Sequence, residues 1–184
     1  EYGSGGRYVA KLLAKKLEIK FYDKEIITKL AKETGLSEEY IEENEQKRTA
    51  LANLETDQVT GLSTRDELFI KESELIKKLA KKDSCVIVGR CADFIMKDNK
   101  NAVKVFIYSN MEDKIKRVNK FYGVDKEKAE KEIKNTDKQR ANHYKHYTDR
   151  EWKEYSNYDI CINSDTLGVE KSADVIYNMI QNRK

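Results

Sequence analysis

Residues 1–8 read EYGSGGRY, with glycine at positions 3, 5 and 6. Glycine permits backbone shapes that a Cβ forbids, so such a loop can turn successive N–H groups inward toward an anion. Directly behind it, RYVAKLLAKKLEIKFYD (7–23) spaces Val9, Leu13 and Leu17 by four, with Ala10, Leu12 and Ala14 alongside, and predicts an amphipathic helix. A helix start adds free N–H groups and the positive end of the macrodipole. A glycine loop feeding such a start is a phosphate-binding arrangement. The competing reading is a flexible Gly/Ser terminus with no binding role.

The loop departs from the P-loop pattern G-x-x-x-x-G-K-[ST], in which Lys reaches the terminal phosphates and Ser/Thr holds magnesium. Aligned by loop length, Arg7 stands in the lysine place and Tyr8 in the Ser/Thr place. Aligned by the helix, Gly6 takes the lysine place and Arg7 follows it. In both frames the lysine and the magnesium-binding hydroxyl are missing. Arg7 is the substitute source of charge, and Ser4 a substitute hydroxyl elsewhere in the loop. A loop of this kind follows a buried strand, so a first strand of about five residues is expected upstream of Glu1.

Three apolar runs read as buried strands: SCVIV (84–88), VKVFIY (103–108) and YDICI (158–162), with a further short strand near Ile19–Tyr22. They are rich in β-branched and aromatic residues without clean alternation, as a sheet covered on both faces requires. Helical patterns separate them. Residues 64–81 open with a Thr64–Glu67 capping box and carry Leu68, Leu75, Ile76 and Leu79. Residues 110–122 follow a Ser109–Glu112 box, with Met111, Ile115, Val118 and Tyr122 on one face. Residues 169–182 align Val169, Ala173, Ile176 and Ile180. The alternation predicts a three-layer α/β/α fold with a parallel sheet, in which ligands bind at the carboxyl ends of the strands. The polar stretch 44–64 reads as a loop or insertion, not a linker between domains.

At 184 residues the chain is one domain's worth, with 38% charged residues and a net charge of +3. So small an excess does not announce nucleic acid or a membrane surface. No apolar run approaches the ~20 residues that cross a bilayer, and no signal peptide is visible. Cys85, Cys91 and Cys161 form an odd, widely spaced set without a CxxC. They read as reduced, buried thiols of a cytoplasmic protein, not a disulfide framework or zinc site.

Four polar stretches fall at predicted strand ends or on the helix between them. FYDKEII puts Asp23 and Lys24 after the second strand; VGRCADF puts Gly89, Arg90 and Asp93 after SCVIV. The helix 125–148 carries Ala129, Ile133, Asp137, Arg140, Tyr144 and Tyr147 on one face, and Arg150 follows it.

Taken with EYGSGGR before AKLLAKKL, and with QRANHYKHYT and NYDICINS, these segments resemble the cytidylate kinase-like family, related to the P-loop nucleoside monophosphate kinases. The resemblance runs from Glu1 to about Ile180. It implies a helix-rich P-loop kinase-like domain, with a monophosphate-binding insertion at about 35–65 and a lid at about 123–157. It implies transfer of a phosphoryl group from ATP, with Mg2+, to CMP or a similar small-molecule nucleotide. Residue by residue, Gly3, Ser4, Gly5, Gly6, Arg7 and Tyr8 match the donor loop. Asp23 matches the acid near the acceptor, and Arg90 the arginine that grips the acceptor phosphate. Cys91 stands where the family's GRD segment has aspartate, leaving Asp93 as the nearest substitute and pyrimidine recognition open. Lys116 and Arg117 match a basic pair before the lid, and Asp137 with Arg140 its polar face. Arg7 with Arg140 or Arg150 would neutralise the transferred group.

Each residue also has a plain structural reading. Arg90 would cap or salt-bridge; Asp137 and Arg140 would form an i,i+3 ion pair; Asp23 would cap the next helix. His143 and His146 lack a third ligand and read as surface or base-stacking residues, not a metal site. Trp152, Tyr144, Tyr147, Tyr155 and Tyr158 line a base pocket or pack a lid. The missing lysine leaves a second function in view, a nucleotide-binding module without catalysis, and Cys91 a third, a kinase for a different acceptor.

Overall fold

The computed structural model describes residues 1–46 and 63–183. The chain divides into two compact units: Glu1–Phe21 with Val86–Lys184, and Tyr22–Cys85. It is a helix-rich α/β fold. Strands β1 (Lys20–Tyr22) and β2 (Cys85–Ile87) pair as one two-stranded sheet. Strands β3 (Val105–Tyr108) and β4 (Ile160–Asn163) pair in parallel, Val105 opposite Ile160 and Tyr108 opposite Asn163.

The strands are shorter than the apolar runs that announce them, and at β3 a side chain takes the place of a ladder acceptor. At the start of β3, the Lys104 amide donates to Asp159 Oδ2 at 2.7 Å while Asp159 N donates back to Lys104 O at 2.8 Å. A parallel pair needs a long crossover, here supplied by α6 (Met111–Tyr122) and α7 (Lys126–Thr148).

In the first unit, α1 (Gly6–Leu17) and α8 (Ser164–Gln181) cover β3 and β4. Val9, Leu13, Ile107, Ile162, Ala173 and Ile176 form their shared core. A second cluster, Val118, Ala129 and Ile133, joins α6 to α7, with Tyr2, Met111 and Ile115 against it. Tyr122, expected on that apolar face, is instead largely exposed. The thiols are free, but Cys161 is exposed on β4 and only Cys91 is buried, so the expectation of three buried cysteines is corrected.

Two helix starts sit one residue from the predicted capping boxes. Ser63 caps α4 (Thr64–Lys82), its Oγ accepting from Asp66 N at 3.2 Å, and Asn110 caps α6, its Oδ1 accepting from Asp113 N at 2.9 Å. At α4 Asp66 closes the box in place of Glu67; at α6 the Asn110 amide donates to Asp165 instead.

The second unit holds α2 (Glu25–Thr34), α3 (Glu38–Gln46) and α4. Its buried apolar residues include Ile26, Ile27, Leu30, Ile41, Leu68, Leu75 and Ile76. Most of the polar stretch 44–64, and with it residues 47–62 of the expected monophosphate insertion, lies outside the described residues.

Helix α8 is broken at Gly168, whose φ of 75° and ψ of 169° only glycine adopts at low cost. Nothing lies within 4 Å of where its Cβ would be. Gly168→Ala should therefore act through the backbone alone. It is expected to cost about 1–3 kcal/mol, read as a lower urea midpoint with an unchanged slope.

Candidate active site

The glycine loop packs on α6. At Gly3 φ is +77°, and a Cβ there would come within 2.9 Å of Val118 Cγ2 and 3.1 Å of the Lys114 carbonyl oxygen. Gly3 is thus required by close approach as well as by backbone conformation. Ser4 is fully buried: its Oγ donates to Glu1 O at 2.8 Å and accepts from Gly6 N at 3.4 Å, while its carbonyl accepts from Ser164 Oγ at 2.6 Å. The hydroxyl considered as a magnesium ligand therefore points into the protein. Gly5 occupies the N-cap position of α1, with no side-chain cap. Among the described residues, the Gly3 and Gly5 amides donate to no protein acceptor. Backbone donors at an uncapped helix start are suited to an anion.

Beneath the loop lies a network of buried charge. Lys114 Nζ meets Glu1 Oε2 at 2.5 Å and Asp137 Oδ2 at 3.2 Å, and Lys153 pairs with Glu1 from the solvent side. The other oxygen of Asp137 accepts from the Tyr2 amide at 2.8 Å. Side-chain exposure is 5% for Lys114, 8% for Glu1 and 10% for Asp137. Burial works to raise the Glu1 carboxyl pKa, but the bonds from Lys114 and Lys153 prevail and hold it below its ordinary value. Beside them, Arg117 Nη1 reaches Ser109 Oγ at 2.8 Å, Asp165 Oδ1 at 3.2 Å and Gly3 O at 3.5 Å.

The basic pair predicted at 116 and 117 thus separates. Lys116 is exposed and pairs with Glu112 and Asp113, while Arg117 turns to the loop. Lys114 was missed altogether. Its signal is register: Lys114 and Val118 are one turn apart, and Val118 is core.

A second locus forms after β2. Gly89, Arg90 and Cys91 are all left-handed, with φ of 73°, 58° and 52°, immediately before α5 (Ala92–Ile95). Left-handed non-glycine residues cost about 1–3 kcal/mol each and concentrate at functional sites. Asp93 Oδ2 accepts from Tyr144 Oη at 2.6 Å. Burial raises the Asp93 pKa, with the Tyr144 bond opposing it; the Tyr144 phenol is also pushed up, first by burial and then by that bond. The Arg150 guanidinium lies 5.3 Å over the Phe94 ring.

The predicted residues therefore gather in two places within the first unit. The loop, Arg7 and Tyr8 at the start of α1, Asp137 through Tyr2, and Arg140 at 5.7 Å over the Tyr2 ring make one. Arg90, Asp93 and Arg150 make the other. Asp23 belongs to the second unit. The cap position of α2 falls on Lys24, and the Asp23 amide donates to Glu25 Oε2 at 3.0 Å. Trp152 and Tyr158 pack on Phe106 of β3. His143 and His146 both set their rings edge-on to Tyr147, and no cluster of three metal-ligating residues occurs among the described residues. No described helix is long and apolar enough to cross a membrane.

A glycine loop at a helix start, in a helix-rich α/β fold with a small parallel sheet, is compatible with a kinase-like fold. The model of the cytidylate kinase-like family matches residues 1–166, and the chain belongs to that family. It is also similar to a crystal structure of an uncharacterized protein from Eubacterium ventriosum ATCC 27560. The two are 31% identical with a TM-score of 0.77, covering 100% of this chain and 95% of that one. No curated protein matches the chain.

Lys114→Met leaves two buried carboxylates facing each other, and is expected to cost about 3–5 kcal/mol by urea denaturation at neutral pH. Because the folded Glu1 pKa lies below its ordinary 4.5, its stabilisation is complete above that pH and lost as pH falls further. The variant should lose part of this acid-side slope in a stability profile.

Proposed function

We propose that the protein transfers a phosphoryl group from ATP to a nucleoside monophosphate, with a CMP-like acceptor first in line. The observation that carries this reading is the conjunction of family membership across residues 1–166 with loop amides left to an outside acceptor at the start of α1. Phosphoryl transfer asks little covalent work of a protein; it needs positioning and neutralisation of charge on the moving group. On this reading the chain has the three-layer P-loop arrangement and acts in the cytoplasm. The Gly3 and Gly5 amides take the donor phosphates, and Arg7 supplies charge at the helix start.

Arg90 grips the acceptor phosphate, its guanidinium offering paired donors to paired oxygens. Asp93, kept less acidic by burial, is the polar group beside the acceptor. Residues 123–157 act as the lid, bringing Arg140 and Arg150 to the transferred group and excluding water. Residues 35–65 take the part of the monophosphate-binding insertion. Magnesium accompanies ATP and screens its phosphates in such reactions. The loop does not fit it through a hydroxyl, since Ser4 Oγ is bonded inward and Tyr8 is a phenol. Neutralisation at the loop therefore rests on guanidinium groups.

The inward Ser4 hydroxyl also favours a second reading, a nucleotide-binding module without turnover. Coupled detection of ADP across a panel of monophosphates separates the two. Turnover is expected, highest with a pyrimidine monophosphate, and Arg90→Ala or Arg7→Ala should lower kcat/KM by about 10²–10³. Folded protein that binds ATP without turning over any acceptor, and without response to magnesium, establishes the second reading instead.

A further inference from the structure

We infer that an aromatic shelf beside the glycine loop holds the base of the donor nucleotide by stacking. This inference rests on the loop being the site of the donor phosphates. Helix α6 runs along the loop as one face: Lys114 and Val118 lie against Gly3, Arg117 lies near Gly5, and the next turn brings Phe121 and Tyr122. Their rings meet the two tyrosines that bracket the loop in sequence. Phe121 lies 5.1 Å from Tyr8, and Tyr122 lies 5.4 Å from Tyr2, centroid to centroid. The pairs are tilted by 47° and 44°, not stacked flat on one another. Tyr8, Phe121 and Tyr122 remain 39%, 48% and 45% exposed.

Large exposed aromatics side by side are costly unless something covers them. Two observations name the occupant as a base joined to phosphates. The shelf flanks the loop, Tyr2 just before Gly3 and Tyr8 just after Gly6, so a ligand anchored by its phosphates at the loop has the shelf beside it. Cations also border it, with Lys120 Nζ 5.2 Å over the Phe121 ring and the Arg140 guanidinium 5.7 Å over Tyr2. A base laid on such a surface stacks through its π-face, a contact that any base can make.

Calorimetry on the full chain tests this, with ATP and inorganic tripolyphosphate as separate probes. The variant Phe121→Ala/Tyr122→Ala removes exposed side chains and leaves the loop's backbone partners in place. Its ATP affinity is expected to fall about 10- to 100-fold, with tripolyphosphate affinity within two-fold of the original. Phe121→Trp should keep or tighten ATP binding. Unchanged ATP affinity in the double variant overturns the shelf while leaving the loop reading intact, as does an equal loss for both probes. If that unchanged affinity comes with loss of a dimer in sedimentation, the shelf covers a second copy of the chain. Parent protein that binds neither probe removes the loop reading and the shelf together.

Discussion

Lys114 sits between the carboxylates of Glu1 and Asp137 with almost no access to water. Charges taken out of water are tolerated only when fully paired, so this ammonium fixes where two distant pieces of chain must be. Glu1 brings the segment entering the loop; Asp137 brings α7. The Tyr2 amide is then held by the second oxygen of Asp137, and Gly3, which follows, lies on α6 at a distance no other residue accommodates. The loop's shape is thus imposed from below by electrostatics and from the side by packing. That leaves the Gly3 and Gly5 amides uncommitted. A surface able to receive an anion exists here because the protein's own anions are satisfied underneath.

Much of the architecture is legible in sequence because it rests on local periodicity. The spacing of Val9 and Leu13, of Ile115 and Val118, and of Ala173 and Ile176 places three helices and the sides they bury. The α/β class follows from alternating apolar runs and helices. What failed locally did so at termini. Ser63–Asp66 and Thr64–Glu67 are overlapping frames of one capping pattern, and Asn110–Asp113 overlaps Ser109–Glu112. Sequence offers both frames; at α4 Asp66 closes the box on Ser63, and at α6 Ser109 Oγ is engaged by Asp165 and Arg117 while Asn110 caps the helix.

The site was harder to read, for a different reason. Asp137 reads as the polar end of a helix stripe, and Lys114 as one more lysine in a lysine-rich chain. Neither burial can be inferred without knowing that residue 1 and residue 137 converge, which is a long-range fact. Arg90, by contrast, stands out in the sequence because it follows an apolar run and a glycine. Its left-handed backbone, shared with Cys91, goes beyond what that pattern announces. The aromatic neighbours of the loop went unremarked because Tyr122 looks apolar by spacing and solvent-facing only in three dimensions.

Asp137 lies near the middle of the 23-residue α7. A carboxylate there that ties Tyr2 to Lys114 pins a long rod at its midpoint. Tyr144, two turns further on, pins it again by donating to Asp93. Arg140 lies between these two anchor points, so the helix carries it like a fixed post. Arg150 follows the left-handed Asp149 that ends the helix, and so answers to a separate piece of chain.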